Sequence, residues 1–328
     1  VEITDRNNFS RVRLLRRLIF LGAVFLGVSI LSLSIGPAGA DLGIILRVRL
    51  PRVLLAAIVG GTLAMSGAVF QGVLRNPLAD PYILGTSTGG ALGAAVGLIV
   101  LSGSGLASSF FVPVFAFSGS FITTLIVYLL SRRGGRVPRE TLLLSGVIVG
   151  TLFGALIMFL MMWADKELHE ILYVLMGFLG VIWTGKTVTM AVFVLVLVCI
   201  GGILIYYHAR DLNLLSLGEE NAFSLGVDVE RTKLYLFFAA SLITGAVVSL
   251  SGLIGFVGLI VPHIVRMSLG TDNRTLIPAS LLVGSSLLIV SDTVARSLFV
   301  QEIPVGVVTA LFGTPFFIYL LRREGKSG

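Results

Sequence analysis

Val188 to Tyr207 reads VTMAVFVLVLVCIGGILIYY, twenty consecutive residues without a charge. Wound as a helix, twenty residues extend about 30 Å, the depth of a bilayer's hydrocarbon core. The chain around this run fits the same solvent. Of its 328 residues 56% are hydrophobic and 12% charged, where a soluble domain carries about 25% charged residues. Further apolar runs lie at 14–35, 53–74, 83–101, 110–130, 141–163, 233–253, 276–295 and 304–321. Two shorter ones, 170–182 and 255–267, cannot both be ordinary spans. Backbone that breaks at membrane depth needs cover from protein or a water-filled cavity. The first therefore reads as a re-entrant or outer-face helix and the second as a short, shielded span. The expectation is an all-α polytopic membrane protein of about ten spans, a single transmembrane domain over 1–328.

Just before the opening run stands GVIWTGKT, Gly180 to Thr187, which fits the phosphate-loop pattern letter for letter. A working phosphate loop needs a preceding strand, a soluble helix after it and small residues whose amides wrap phosphate. Val181, Ile182 and Trp183 supply bulk between two membrane segments instead, so the match reads as accidental. Just after the run comes the longest hydrophilic stretch, HARDLNLLSLGEENAFSLGVDVERTK (His208 to Lys233). It holds too many apolar residues for a solvated connector, Leu212, Leu215, Phe223 and Leu225 among them. Glu219 and Glu220 open a short segment that stops at Gly226. A bilayer-surface helix would favour Lys and Arg on its polar face; an acidic start suits a helix seated in a partner protein.

Charge assigns the sides. Eighteen of the 24 Lys and Arg residues fall on one side of the membrane, with both termini. Positive residues accumulate in the cytoplasm, which puts both termini and the loop at 208–233 inside. Arg47, Arg49, Arg52, Lys166, Lys186 and Arg296 remain outside. Arginines at a membrane boundary snorkel or find partners. Three of them around Pro51, with Arg296 at another outer helix end, form a rim suited to carboxylates on an acidic visitor. Asp292, four residues before Arg296, is placed to pair with it.

Glycines at 89, 93 and 97 suit close helix approach. One cysteine, Cys199, excludes an internal disulfide. His169, His208 and His263 show no metal-ligand spacing. Asp292 is the clearest acid inside a span, while Asp80, Asp165 and Glu302 read as loop residues. An ion-coupled secondary transporter, the competing class, would need ionisable groups near mid-membrane.

RLPR (Arg49–Arg52), LAMSGAVFQGVLRNPLADPYILG (Leu63–Gly85), SLGEENAFSLGV (Ser216–Val227), GFVGLIVPHIVRMSLG (Gly255–Gly270) and DTVARSLFVQEIPVGVVTALFGTPFFIYLL (Asp292–Leu321) occur in this order. The set resembles the FecCD-type permeases of ATP-driven importers for iron chelates, haem and cobalamin. The resemblance implies the type II ABC importer architecture, a homodimer around a central pathway, two cytosolic ATPase subunits and an external binding protein. It implies no cofactor in this chain, ATP and Mg being bound by the ATPase, no catalysis and no nucleic acid. Arg49, Arg52 and Arg296 would receive the binding protein. Glu219, Glu220, Ala222, Leu225 and Gly226 would belong to the coupling helix seated in the ATPase. Asn76 and Leu78 would form one inner gate loop, with Arg139 and Glu140 at the second, where smaller polar residues are usual in the cobalamin members. A ferric siderophore is the expected cargo, as the broadest subgroup, with haem and cobalamin as the others. The expected site is the cytoplasmic (inner) membrane.

Overall fold

The computed structural model describes residues 2–36, 41–102, 108–164, 166–298 and 301–324, so that Asp165 and Lys326 lie outside the described residues. Seven helices among them are long and apolar enough to cross a bilayer, and Thr86–Leu101, Val257–Leu269 and Val305–Ile318 are shorter apolar ones. Seven and three make the ten that the apolar runs predict.

The chain opens with α1 (Glu2–Ser34). A short α2 (Leu42–Ile44) and a widened π-type turn (Ile45–Arg49) lead straight into α3 (Leu50–Leu74), with Pro51 in its first turn. Proline suits that position, where its missing N–H has no helical partner to lose. α4 (Thr86–Leu101) and α5 (Ser108–Ser131) form an antiparallel pair, followed by α6 (Arg139–Trp163). α7 (Leu168–Met176) is a nine-residue helix, and α8 (Gly185–Tyr207) is the run quoted first. α9 (Ala209–Ser216) and α10 (Glu219–Ser224) occupy the long hydrophilic loop. α11 (Val229–Ser251), α12 (Val257–Leu269), α13 (Asn273–Ser297) and α14 (Val305–Glu324) complete the fold.

Helices α3 and α11 form the middle. Within its most apolar window α3 is 83% buried and α11 72%, against 6% for α1. Small residues make this possible, because lipid offers no hydrophobic drive between helices and close backbone packing must supply the attraction. A Cβ on Gly67 of α3 would overlap the Gly258 carbonyl of α12. The Gly89, Gly93 and Gly97 series does what its spacing predicts, laying α4 against Thr123 and Phe115 of α5. Hydroxyls cross-link the centre: Ser66 donates to the Ala240 carbonyl at 3.3 Å and Ser285 to that of Ala57 at 2.7 Å. Cys199 lies exposed on the outward flank of α8.

The 170–182 run ends its helix early, at Met176. Gly177 turns the chain at positive φ, and Phe178 N donates to the Ser251 carbonyl while Leu253 N donates to that of Val174. α7 thus caps the end of α11 and does not cross. The phosphate-loop match resolves into a helix start. Residues 180–184 have no regular structure, Thr184 caps α8 by accepting from Thr187 N at 3.3 Å, and Lys186 is exposed.

Candidate functional site

Two clusters of charge sit at opposite ends of the bundle. At the end where α3 begins and α13 finishes, Arg52 is the hub. Its Nε donates to both Asp292 oxygens, at 2.9 and 3.1 Å, and its Nη1 to both Glu302 oxygens, at 3.1 and 3.0 Å. The guanidinium carbon stands 5.8 Å from the centre of the Phe178 ring. Arg296 pairs with Asp292 at 3.6 Å, one turn away on α13 as the spacing predicts, and donates to Ser32 Oγ at 3.0 Å and to the Ser32 carbonyl. Arg49 donates to the Leu33 carbonyl at 2.9 Å.

The three arginines proposed for docking are thus brought together, and they face inward. Arg49, Arg52 and Arg296 are 3%, 8% and 6% exposed. They tie α1, α3, α13 and the 301–304 segment into one corner. Among the described residues three guanidinium groups and two carboxylates meet there, and Arg47 is exposed beside them. Glu302 is the accessible member, its side chain 45% exposed.

At the other end the hydrophilic loop folds back on the bundle. α10 has two faces. Ala222 is fully buried, so its side chain packs inward. Glu220, Phe223, Leu225 and Gly226 are exposed, Phe223 at 74% and Leu225 at 61%. Glu219 leans inward, where Arg139 Nη2 donates to it at 2.7 Å and Lys233 Nζ lies 3.4 Å away. Burial pushes the Glu219 carboxyl up, but Lys233 and Arg139 outweigh it and hold the group below the usual carboxylate range.

The two expected gate loops approach each other beside α10. Arg75, Arg139, Glu140 and Glu219 line one cleft of about 520 Å³. Arg75 closes α3 in the left-handed conformation, φ 49°, and its Nε donates to the Leu215 carbonyl at 2.8 Å. Asn76 accepts from the Leu78 amide at 2.9 Å, the self-bonded turn its sequence suggests. Leu78 and Glu140 are exposed.

Seven long and three shorter apolar helices, a short two-faced helix on the hydrophilic loop and a buried guanidinium corner at the far end make up the described architecture. A family model described as the FecCD transport family matches residues 14–323. The chain belongs to the FecCD transport family.

FecCD membership makes it a multi-pass permease of an ABC importer, a transport family that works with ATPase and binding-protein partners. The chain is 46% identical over 282 residues to the cobalamin import system permease BtuC of Halobacterium salinarum, covering 85% of this chain and 74% of that one. It is 44% identical over 292 residues to the hemin transport system permease HmuU of Yersinia pestis, covering 86% and 85%. A solved structure described as an inward-facing conformation of a metal-chelate type ABC transporter superposes with TM-score 0.83 at 34% identity, covering 94% of this chain and 99% of that one.

Two members of the cluster at α10 were not singled out from the sequence, Lys233 and Glu230, which pair at 2.7 Å. Lys233 opens KLYLFFAA, a charge at the mouth of an apolar helix, and such a charge demands partners. That signal was available.

Proposed function

We propose that this FecCD chain imports a metal chelate by alternating access, as one of two copies flanking a central pathway. One observation supports the proposal: α10 buries Ala222 against the bundle and leaves Phe223 and Glu220 exposed, with Leu225 exposed just past its end. Aromatic and aliphatic anchors beside a carboxylate suit the cytosolic ATPase, which binds ATP and Mg while this chain holds no cofactor of its own. ATP binding favours the closed ATPase pair, and that preference shifts the permease between its two open states. The charge asymmetry of the sequence supports both termini and α10 facing the cytoplasm, with the chain in the inner membrane. Docking of the binding protein directly on Arg49, Arg52 and Arg296 does not fit their burial, which ties α1, α3 and α13 together; Arg47 and Glu302 are the exposed charges beside them.

The second copy would cover α14. Leu311 and Phe312 stand 68% and 64% exposed there, beside a groove of about 590 Å³ lined by Met176, Leu253, Gly306 and Thr314. As cargo, the two permeases named above carry cobalamin and hemin, both metal-bearing macrocycles. This weighs toward a macrocycle over the ferric siderophore expected from the resemblance. Purified permease with its ATPase and binding protein in liposomes tests the reading: ATP-dependent accumulation of cobalamin or haemin is expected. Uptake of a ferric siderophore alone would reverse the cargo assignment.

An ion-coupled carrier, the second reading, would need a free ionisable group near mid-membrane; Asp80, though buried, lies in the turn between α3 and α4, where it accepts from the Tyr82 amide at 2.9 Å. Asp292, the other buried acid, is already neutralised by Arg52 and Arg296. Uptake driven by a proton or sodium gradient without the ATPase would favour this second class.

A further inference from the structure

Lys233 lies in the second turn of α11 with 8% of its side chain exposed, and groups from three segments converge on its ammonium. Glu219 of α10 brings both carboxylate oxygens to 3.4 Å. Glu230, one turn earlier on α11, stands at 2.7 Å. The Val137 carbonyl, in the loop before α6, accepts at 3.2 Å. That loop is held twice more: the Val137 amide donates to Glu230 at 3.1 Å, and Arg139, the first residue of α6, donates to Glu219 at 2.7 Å.

An ammonium has three protons to give and no acceptor. Burying one is unfavourable unless those protons are met by acceptors. Here the acceptors come from α10, α11 and the loop, so satisfying Lys233 forces all three into one register. An exposed ion pair would break at little cost and transmit little. A buried one, pulled apart, leaves charge without compensation. Displacement of α10 therefore either drags Lys233 and Arg139 along through Glu219 or takes from each the carboxylate they share, leaving Lys233 with Glu230 and the Val137 carbonyl alone.

We propose that Lys233 is the positioning residue that makes the loop at 132–138 and the first turn of α6 follow the movement of α10. The proposal rests on reading α10 as the ATPase-facing helix, and adds the inward half of that linkage. The division is visible at α10, where Phe223 and, just past its end, Leu225 are exposed while Glu219 turns toward Lys233. Joining two sites requires an element whose arrangement both of them bias; the Lys233 cluster touches the partner-facing helix on one side and the gate loop on the other.

The test uses the whole complex in liposomes, with cobalamin or haemin as probe, whichever the unaltered complex accumulates. Lys233→Met, Lys233→Arg, Glu230→Gln and Phe223→Glu are compared for ATPase retention on the permease, ATP hydrolysis and uptake per ATP hydrolysed. Lys233→Met and Glu230→Gln, both outside α10, are expected to keep the ATPase bound and hydrolysing. Their uptake per ATP falls at least about fivefold, the lower end of ordinary coupling between sites. Lys233→Arg, which keeps the charge, restores most of it. Phe223→Glu releases the ATPase. Should Lys233→Met fail to assemble, Glu230→Gln, whose side chain is partly exposed, carries the same readout. Unchanged uptake per ATP in Lys233→Met or in Glu230→Gln overturns the proposal. So does loss of ATPase retention in both, which would make the cluster a structural prop. Undiminished retention in Phe223→Glu overturns the reading of α10, and the proposal with it.

Discussion

Asp292 has 1% of its side chain exposed and faces two guanidinium groups, Arg52 at 2.9 Å and Arg296 at 3.6 Å. Removing one partner from a buried charge cluster costs about 3–5 kcal/mol. Asp292→Ala should therefore lower the detergent-solubilised permease's melting temperature sharply. Glu302→Gln, at a side chain 45% exposed, should cost about 0–1 kcal/mol. Equal losses in the two variants would contradict the burial described here. Glu219 makes a separate prediction through pH. Its carboxyl is held below the usual range in the folded chain, so its contribution is complete above that range and fades as pH falls through and below it. The difference in melting temperature between the wild type and Glu219→Gln should stay constant across neutral pH and shrink only in acid. A difference that disappears near neutrality would count against the pairing with Lys233 and Arg139. Residue-scale legibility was uneven for a plain reason. Asp292 and Arg296 lie four apart on one helix, and helix geometry alone pairs them. Arg52 and Asp292 lie 240 positions apart, and only the packing of α3 on α13 joins them.

Glycine decides how closely the elements approach. A methyl group on Gly67 would meet the Gly258 carbonyl, whereas nothing lies within 4 Å of the position it would take on Gly154. Gly67→Ala should destabilise by about 1–3 kcal/mol through forced separation of α3 and α12. Gly154→Ala should stay within about 0.5 kcal/mol, and unfolding in a denaturing detergent titration compares them directly. At this scale the sequence was legible wherever hydropathy was continuous: the runs at 141–163 and 188–207 match α6 and α8. It misled where apolar residues serve non-helical chain. The run 170–182 stays hydrophobic past Met176, but its backbone bonds to Ser251 instead of continuing the helix. Hydropathy reports exclusion from water, whether by lipid or by protein, and backbone pairing between distant segments leaves no mark in it.

Across the whole molecule, α3 and α11 are wrapped by the other helices, and the two charge clusters lie at opposite ends of the bundle. Orientation is open to direct measurement. A cysteine placed at Phe223, in a chain whose Cys199 is replaced by Ser, should react with a membrane-impermeant maleimide only when the cytoplasmic face is open. Bound ATPase should protect it. Labelling from the outside of intact cells would invert the sidedness derived from Lys and Arg. The number of apolar helices was readable at this scale, because lipid imposes a length rule on every segment alike. The inward turn of the arginine corner was not, since residue type says nothing about which way a guanidinium folds.

The solitary thiol on the flank of α8 gives the protein a built-in spectroscopic handle. A nitroxide reagent that partitions into lipid would mark every copy once, without mutagenesis. An assembled pair would then hold two spins and a single interval between them, and a nucleotide that rocks the helices would show up as a change in that interval.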